Sequence, residues 1–388
     1  MARDREPALA GLTWEGVLLR LERYADIEAS ARECGALRRA RAVRTGAQLL
    51  RLVLAYAVSG LSLRSLSGWA AASGEASLSD VALLKRFRRC GPWLASLVGT
   101  LNAALQPEGA LATGERRVVA VDASAVCSPG GRDKPYRLLH TVYDVGAQHF
   151  RTTLVTDRHR SERLDVGEVA RGEIRLGDRV YARYRDLAAV QEAGADYIVR
   201  LSARALRLAD ATGARFSRAA LCRRAQAEGR VLDVAVRIQP GGEGPKHRPE
   251  CDARIVCLPL PPEQAEAARR RMRRNARDWG YTPSDDALEC AGCFLLVTSL
   301  DARDWPAERI LALYRRRWQV ELAFKRLKSL LALEKLRVFD PDLAGVWIHA
   351  VLLTALLVDL DRPRESEEPD SPPRGPESDA GVSSPSGA

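Results

Sequence analysis

The sequence predicts an α/β protein: a mixed sheet preceded by a small helical unit and interrupted by a β-rich insertion. Three observations predict it. Residues 1–112 carry apolar residues at helical spacings. From Arg116 the alphabet changes to short β-rich runs in the order strand, hairpin, strand, helix, strand. About 90 residues, 204–291, then intervene before the apolar run 293–299, too many for one structureless loop. A chain of 388 residues has room for two or three domains and at least one sizeable core.

In the leading part, helices are expected over 14–19, 45–58 and 61–72. A further helix follows Ser77-Leu-Ser-Asp80, capped by Ser79 or Asp80. It mixes Val81, Leu83, Leu84 and Phe87 with Lys85, Arg86, Arg88 and Arg89. This basic unit either touches a polyanion or simply keeps its charges in water.

The sheet begins with a strand over 117–122 that ends on Asp122. Runs 136–144 and 149–156 read as a hairpin turning near Gly146. A strand over 171–181, a helix over 184–193 and a strand over 196–200 complete the first part of the core, 113–203. In the insertion, strands at 231–238 and 253–258 flank a polar Gly/Pro loop, and a helix follows over 262–277. The core resumes in 292–360 with a strand over 293–299 and one helix over 307–331. Residues 343–358 are apolar but short, and His349 and Thr354 favour a buried helix over a membrane span. The tail, 361–388, is Pro, Ser, Glu and Gly with almost no large apolar residue, a composition that predicts disorder.

The formal charge of +10 favours a polyanionic partner. The tail is acidic, so the rest of the chain is more basic than the total. The eight cysteines, in a long chain that reads as having no secretory leader, do not suggest a disulfide framework. Cys290-Ala-Gly-Cys293 has the spacing of half a zinc site, and Cys251 and Cys257 could add sulfur. Cys293 runs directly into a predicted strand, which favours plain buried thiols. There is no Gly-x4-Gly-Lys-Ser/Thr loop to indicate ATP hydrolysis.

The most informative stretch surrounds Glu321. On a continuous helix, Tyr314, Arg317, Glu321 and Lys328 would fall within about 60° of arc, because their spacings are three, four and seven residues. Trp318 and Leu322 flank that stripe on one side, and Val320, Phe324 and Leu327 on the other. One aligned carboxylate beside a row of cations suits a metal ion and a phosphate backbone.

This stretch resembles the Tyr-x2-Arg-x3-Glu-x6-Lys signature of the IS4-type DDE transposases of bacterial insertion sequences, and all four positions match. The resemblance covers roughly 114–357 and implies an RNase H-like core, with Asp122, Asp178 and Glu321 as catalytic metal ligands. Asp122 stands in Asp-Ala-Ser where the family has Asp-Gly-Ser/Thr. Asp178 stands in Asp-Arg-Val-Tyr where the family has Asp-Arg-Gly-Tyr. If that glycine has positive φ, Val180 would strain the loop.

The resemblance further implies two Mg²⁺ ions, with Mn²⁺ able to substitute, held ~3.5–4 Å apart. Phosphate contacts are expected from Tyr314, Arg317, Lys328 and Arg179. DNA is the expected partner, both as terminal inverted repeats and as target. The implied assembly is a homodimer on DNA, and the location the cytoplasm, with the nucleoid. His140, Asp144 and His159 lie between the first two carboxylates; His140, in a Leu-His-x-x-Tyr-Asp run, is expected to be structural, and Ser161 and Glu162 are near the site by analogy. The Arg269–Arg274 cluster with Arg277 could contact phosphates. Two other readings stay open: a degenerate relative that binds DNA without cutting it, and an RNase H-like nuclease without strand transfer.

Overall fold

A computed structural model describes residues 13–104, 116–127, 129, 135–203, 205–241, 249–331, 336 and 338–359. The tail 361–388 lies outside the described residues.

Six helices come first: α1 (Trp14–Glu22), α2 (Ile27–Glu33), α3 (Gly46–Ser59), α4 (Leu63–Ala72), α5 (Asp80–Phe87) and α6 (Gly91–Ala104). Side-chain oxygens set the starts of the first five. Thr13, Asp26, Thr45, Ser62 and Ser79 each accept a backbone N–H of the first turn that would otherwise be unpaired. Helices α2 and α6 were not anticipated. The first is barely two turns long, and Gly91-Pro92 reads as a breaker, although proline is well tolerated in a first turn.

The sheet strands are β1 (Val118–Cys127), β2 (Pro135–Asp144), β3 (His149–Asp157), β4 (Ile174–Gly177), β5 (Asp196–Arg200), β6 (Arg207–Ala209), β7 (Leu232–Gln239), β8 (Cys251–Pro259) and β9 (Cys293–Thr298). Their helices are α7 (Tyr184–Glu192), α8 (Arg218–Glu228), α9 (Pro262–Asp278), α10 (Asp285–Ala291), α11 (Ala307–Arg315), α12 (Trp318–Leu331) and α13 (Pro341–Asp359). All nine strands form one sheet in the order β3-β2-β1-β4-β5-β9-β8-β7-β6. β1 is antiparallel to β2 and parallel to β4, and β4 is parallel to β5. The strands of residues 204–291 therefore extend the central sheet through β8 and β9.

Strand alternation splits the apolar residues between two cores. Ala120, Ile174, Leu176, Ile198, Val256 and Leu296 face a core shared with α1–α6 and α13. Val119, Val121, Tyr197, Val199, Ile255 and Val297 face a second core, closed by α7 and α8. α13 packs against α3, α5 and α6. It is long and apolar enough to cross a membrane, yet 67% of that stretch is buried inside the fold. It is the expected buried helix.

Three expectations need correction. β1 runs on to Cys127, so Asp122 lies within the strand and not at its end. The strand expected over 171–181 is only Ile174–Gly177, because Asp178 caps a 3-10 turn over Arg179–Tyr181. The single helix expected over 307–331 is broken between α11 and α12. Around Arg316 and Arg317 the amides bond three residues back, as in Arg317 N to Tyr314 O at 3.0 Å, which tightens the turn. Tyr314 and Glu321 therefore do not sit on one continuous helix.

β4 also carries a buried charge network that no motif announced. Arg175 is fully buried and donates to Glu173 at 2.7 Å, to the carbonyls of Leu164 and Val166 at 2.7 and 2.8 Å, and to that of Glu168 at 2.5 Å. Arg151 donates to the other Glu173 oxygen at 2.5 Å. These bonds fix the segment that leads from β3 to β4. Arg175→Met strands Glu173 beside a single cation and unpairs three carbonyls. It is expected to lower unfolding stability by about 3–5 kcal/mol, measured as a shift in denaturant midpoint.

Candidate active site

The site begins with register. β1 and β4 pair in parallel as Val118 with Ile174, Val119 with Arg175 and Ala120 with Leu176. Carried two residues further, that alignment brings Asp122 level with Asp178, just past the end of β4. β4 ends there and β1 continues, so the two carboxylates stand at the carboxyl end of β4, where an α/β sheet opens a crevice.

Local bonds hold each one. Asp122 accepts from the Ala123 amide at 2.9 Å, and Thr141 donates to the Asp122 carbonyl at 3.2 Å. Asp178 accepts from the Val180 amide at 2.8 Å. Val180 lies in the 3-10 turn, and among the described residues Gln148 is the non-glycine residue with positive φ. The strain expected at Val180 is therefore absent.

Gly177 is needed at its position for close approach. A Cβ there would meet Leu164 Cδ1 at 2.9 Å and Tyr181 Cβ at 3.0 Å. Its carbonyl accepts from the Tyr314 hydroxyl at 3.2 Å. Tyr314 is buried, and packs edge-on against Phe294 with ring centroids 5.6 Å apart. The Tyr314 hydroxyl, for which the resemblance implies a phosphate contact, is bonded to β4 here and ties α11 to the residue before Asp178.

Glu321 enters from the first turn of α12. Arg317 donates to it across one helical turn, and the guanidinium lies 5.9 Å from the Tyr314 ring centroid. Burial opposes the charge on Arg317, but Tyr314, Glu321, Asp122 and Asp178 together hold it cationic. Burial pushes the Asp122 carboxyl up to about 7. Arg317 and the Ala123 amide oppose the rise, and the charges of Asp178 and Glu321 add to it. Asp122 therefore senses both other carboxylates of the motif set, which are 56 and 199 residues away in sequence.

A fourth carboxyl adjoins Asp178. Burial and the Asp178 charge raise Glu162, while Tyr181 and Arg183 oppose the rise. Burial, with Asp122, Glu162 and Asp178, pushes the Tyr181 phenol well above its ordinary range. Neither residue was singled out strongly by sequence. The available signal was Tyr181 in the Asp-Arg-x-Tyr run.

The remaining candidates separate. His140 is buried and pairs with Thr156 Oγ1 at 2.8 Å. Asp144 accepts from the Gly146 and Ala147 amides at 3.0 and 2.9 Å, which fixes the β2–β3 turn. Both are bonded within the β2–β3 hairpin. His159 sits in a turn, its amide bonded to Asp157 at 2.8 Å. Arg179 is exposed beside the site, and the Lys328 side chain lies outside the described residues. Next to Glu162 opens a cleft of about 1350 Å³, whose lining includes Ser161, Arg163, Arg183, Arg185, Arg207 and Arg215.

Comparison with known proteins decides the family. Residues 113–357 match the family model described as Transposase DDE domain. The chain belongs to the DDE transposases. It is 39% identical over 347 residues to InsL for insertion sequence element IS186A of Escherichia coli K12, covering 89% of this chain and 93% of that one. It is 38% identical over 348 residues to a transposase for insertion sequence element IS421 of Escherichia coli, with the same coverage. The matched span contains Asp122, Asp178 and Glu321, and the IS4-type resemblance seen in the motifs agrees with these relatives. The chain is a DDE-type enzyme of DNA transposition, and a DDE domain implies dependence on a divalent metal ion.

Proposed function

We propose that this enzyme cuts DNA at the ends of an insertion sequence and joins the freed 3′ ends to target DNA, using Asp122, Asp178 and Glu321. The observation that carries the reading is the parallel register that aligns Asp122 with Asp178, with Glu321 electrostatically coupled to Asp122. The order β3-β2-β1-β4-β5, three antiparallel strands followed by two parallel ones, supports an RNase H-like core.

The donor set fits the implied metal. Three carboxylates supply hard oxygen ligands, and burial, with the Asp178 and Glu321 charges adding to it, raises Asp122 to about 7 even though Arg317 opposes the rise, so a bound cation would offset a charge the site otherwise disfavours. Asp122, Asp178 and Glu321 would hold Mg²⁺ as two ions, with Mn²⁺ able to substitute. When bound, such ions activate an attacking oxygen and stabilise the leaving one.

The chain's own residues set the geometry. Val180 N orients Asp178, Tyr314 locks α11 to β4, and Arg317 holds Glu321 while its charge remains available to a phosphate. The arginine-lined cleft offers a path for the DNA backbone. On α9, Arg270 and Arg273 lie within 4.0 and 3.5 Å of Glu266 and are largely exposed, suited to further phosphate contacts. Action as a homodimer on paired ends, in the cytoplasm at the nucleoid, completes the proposal.

The test is joining. Purified protein, a DNA fragment bearing the element's terminal repeats, a target plasmid and Mg²⁺ are expected to yield covalent end-to-target products. Nicked ends without joined products would instead select a nuclease. Binding without either would select an inactive relative, a reading that the unstrained Val180 no longer favours.

A further inference from the structure

On the second core of the sheet, far along the order from β1, four cysteines from four elements meet. Cys222 comes from α8, Cys257 from β8, Cys290 from α10 and Cys293 from the start of β9. All four are buried. The sulfurs of Cys222, Cys257 and Cys293 lie within 4.8 Å of one another. The Cys290 thiol interacts with that of Cys222. We propose that Cys222, Cys257, Cys290 and Cys293 form a structural zinc site, separate from the carboxylate centre.

Buried thiols are common filling in apolar cores, so their burial decides nothing. Three further features point to a ligand set. The first is spacing. Cys290-Ala-Gly-Cys293 is a two-residue knuckle, the usual form of half a thiolate zinc site, and Cys222 and Cys257 supply the other half. Tetrahedral zinc with Zn–S bonds of ~2.3 Å places its sulfurs about 3.8 Å apart. The present trio needs to contract by no more than about 1 Å.

The second feature is polar support. Gln226 Nε2 donates to Cys293 Sγ at 3.6 Å, and Arg269 Nη2 donates to Gln226 Oε1 at 3.2 Å. N–H groups directed at sulfur are the outer partners that a metal thiolate uses. The chain makes room for them at Gly292, where a Cβ would meet Gln226 Nε2 at 2.3 Å and Arg269 Nη2 at 2.8 Å.

The third feature is charge. Four thiolates around Zn²⁺ carry a net charge of about −2, which a dry core does not tolerate unaided. Arg218 borders Cys290 and Cys222, and Arg269 borders Cys293. Arg218 is itself anchored on the carbonyls of Ala203 and Leu206 at 2.9 and 3.0 Å. On binding, the four thiol protons leave to solvent and four Zn–S bonds form, with no change of oxidation state.

The site would clamp α8 and α10 onto β8 and β9. β9 leads directly to α11 and the Glu321 segment, so the clamp secures the strand from which the catalytic helix departs.

The test uses the full chain, purified from cells grown with added zinc and desalted, and a parallel preparation from cobalt-supplemented medium. A single tightly held zinc per chain is expected by elemental analysis, unchanged in Asp122→Asn/Glu321→Gln. The cobalt protein is expected to show sulfur-to-metal charge-transfer and intense tetrahedral d–d bands. Zinc should fall to background in Cys222→Ser/Cys293→Ser. The cobalt spectrum of the unmutated chain keeps the test valid if that variant fails to fold. Metal-free protein whose four thiols are free under denaturing titration would overturn the proposal. So would a disulfide among the four, cobalt bands lacking sulfur character, or full zinc retention in the folded cysteine double variant.

Discussion

Replacing Glu321 with glutamine is expected to lower strand cleavage on the order of a thousandfold or more, about 4 kcal/mol of barrier, while end binding stays within about twofold. The substitution removes one carboxylate charge and almost no volume. Its effect comes from the centre that Glu321 shares with Asp122 and Asp178 and not from packing. Arg317 loses its ion-pair partner but keeps Asp122 and Asp178 nearby, so the local fold retains a counter-charge. Gel-shift titration with an end fragment reports binding, and a single-turnover nicking assay in Mg²⁺ reports cleavage. Cleavage at the unmutated rate would remove Glu321 from the ligand set.

The second large effect is on stability against pH. Burial raises the Asp122 carboxyl from 3.8 to about 7 in the folded chain. Between those values the folded state binds a proton that the unfolded chain has released. The contribution to stability is therefore fully present below about pH 4 and lost as pH rises through 7. In metal-free protein, Asp122→Asn abolishes that loss. Relative to the parent, the variant is expected to gain about 2–3 kcal/mol of unfolding free energy between pH 5 and pH 8. Denaturant titrations of both proteins in chelator at the two pH values measure it. A constant difference between the proteins would show that Asp122 titrates in the ordinary carboxylate range.

Much of this was legible in the chain. The change of alphabet at Arg116 located β1, and the alternating runs gave the β2–β3 hairpin and β5 closely. The cap at Ser79 marked a helix start because its chemistry is local. The spacing around Glu321 identified the catalytic family before any geometry was known.

What sequence could not give was long-range. Parallel register between β1 and β4 depends on packing across the 46 residues that separate the two strands, and that register, not either motif alone, brings Asp122 level with Asp178. The break before α12 was hidden because Arg316 and Arg317 are good helix formers, and the tertiary bond from Tyr314 to Gly177 competes with a straight helix. Arg175 stands unflagged in an apolar strand, since its partners are backbone carbonyls. Among the thiols, the knuckle was visible but Cys222 was not, because it joins the others only through the packing of α8 on β8.

The central claim is that Asp122, Asp178 and Glu321 together hold the catalytic cation. Metal-specificity rescue tests it most directly. Asp178→Cys, assayed on an end fragment in a single turnover, is expected to lose cleavage in Mg²⁺ and to recover a measurable part in Mn²⁺, which accepts sulfur more readily. Asp178→Ala is expected to recover none in either ion. Unimpaired cleavage by Asp178→Cys in Mg²⁺, or equal recovery of the cysteine and alanine variants in Mn²⁺, would contradict the assignment.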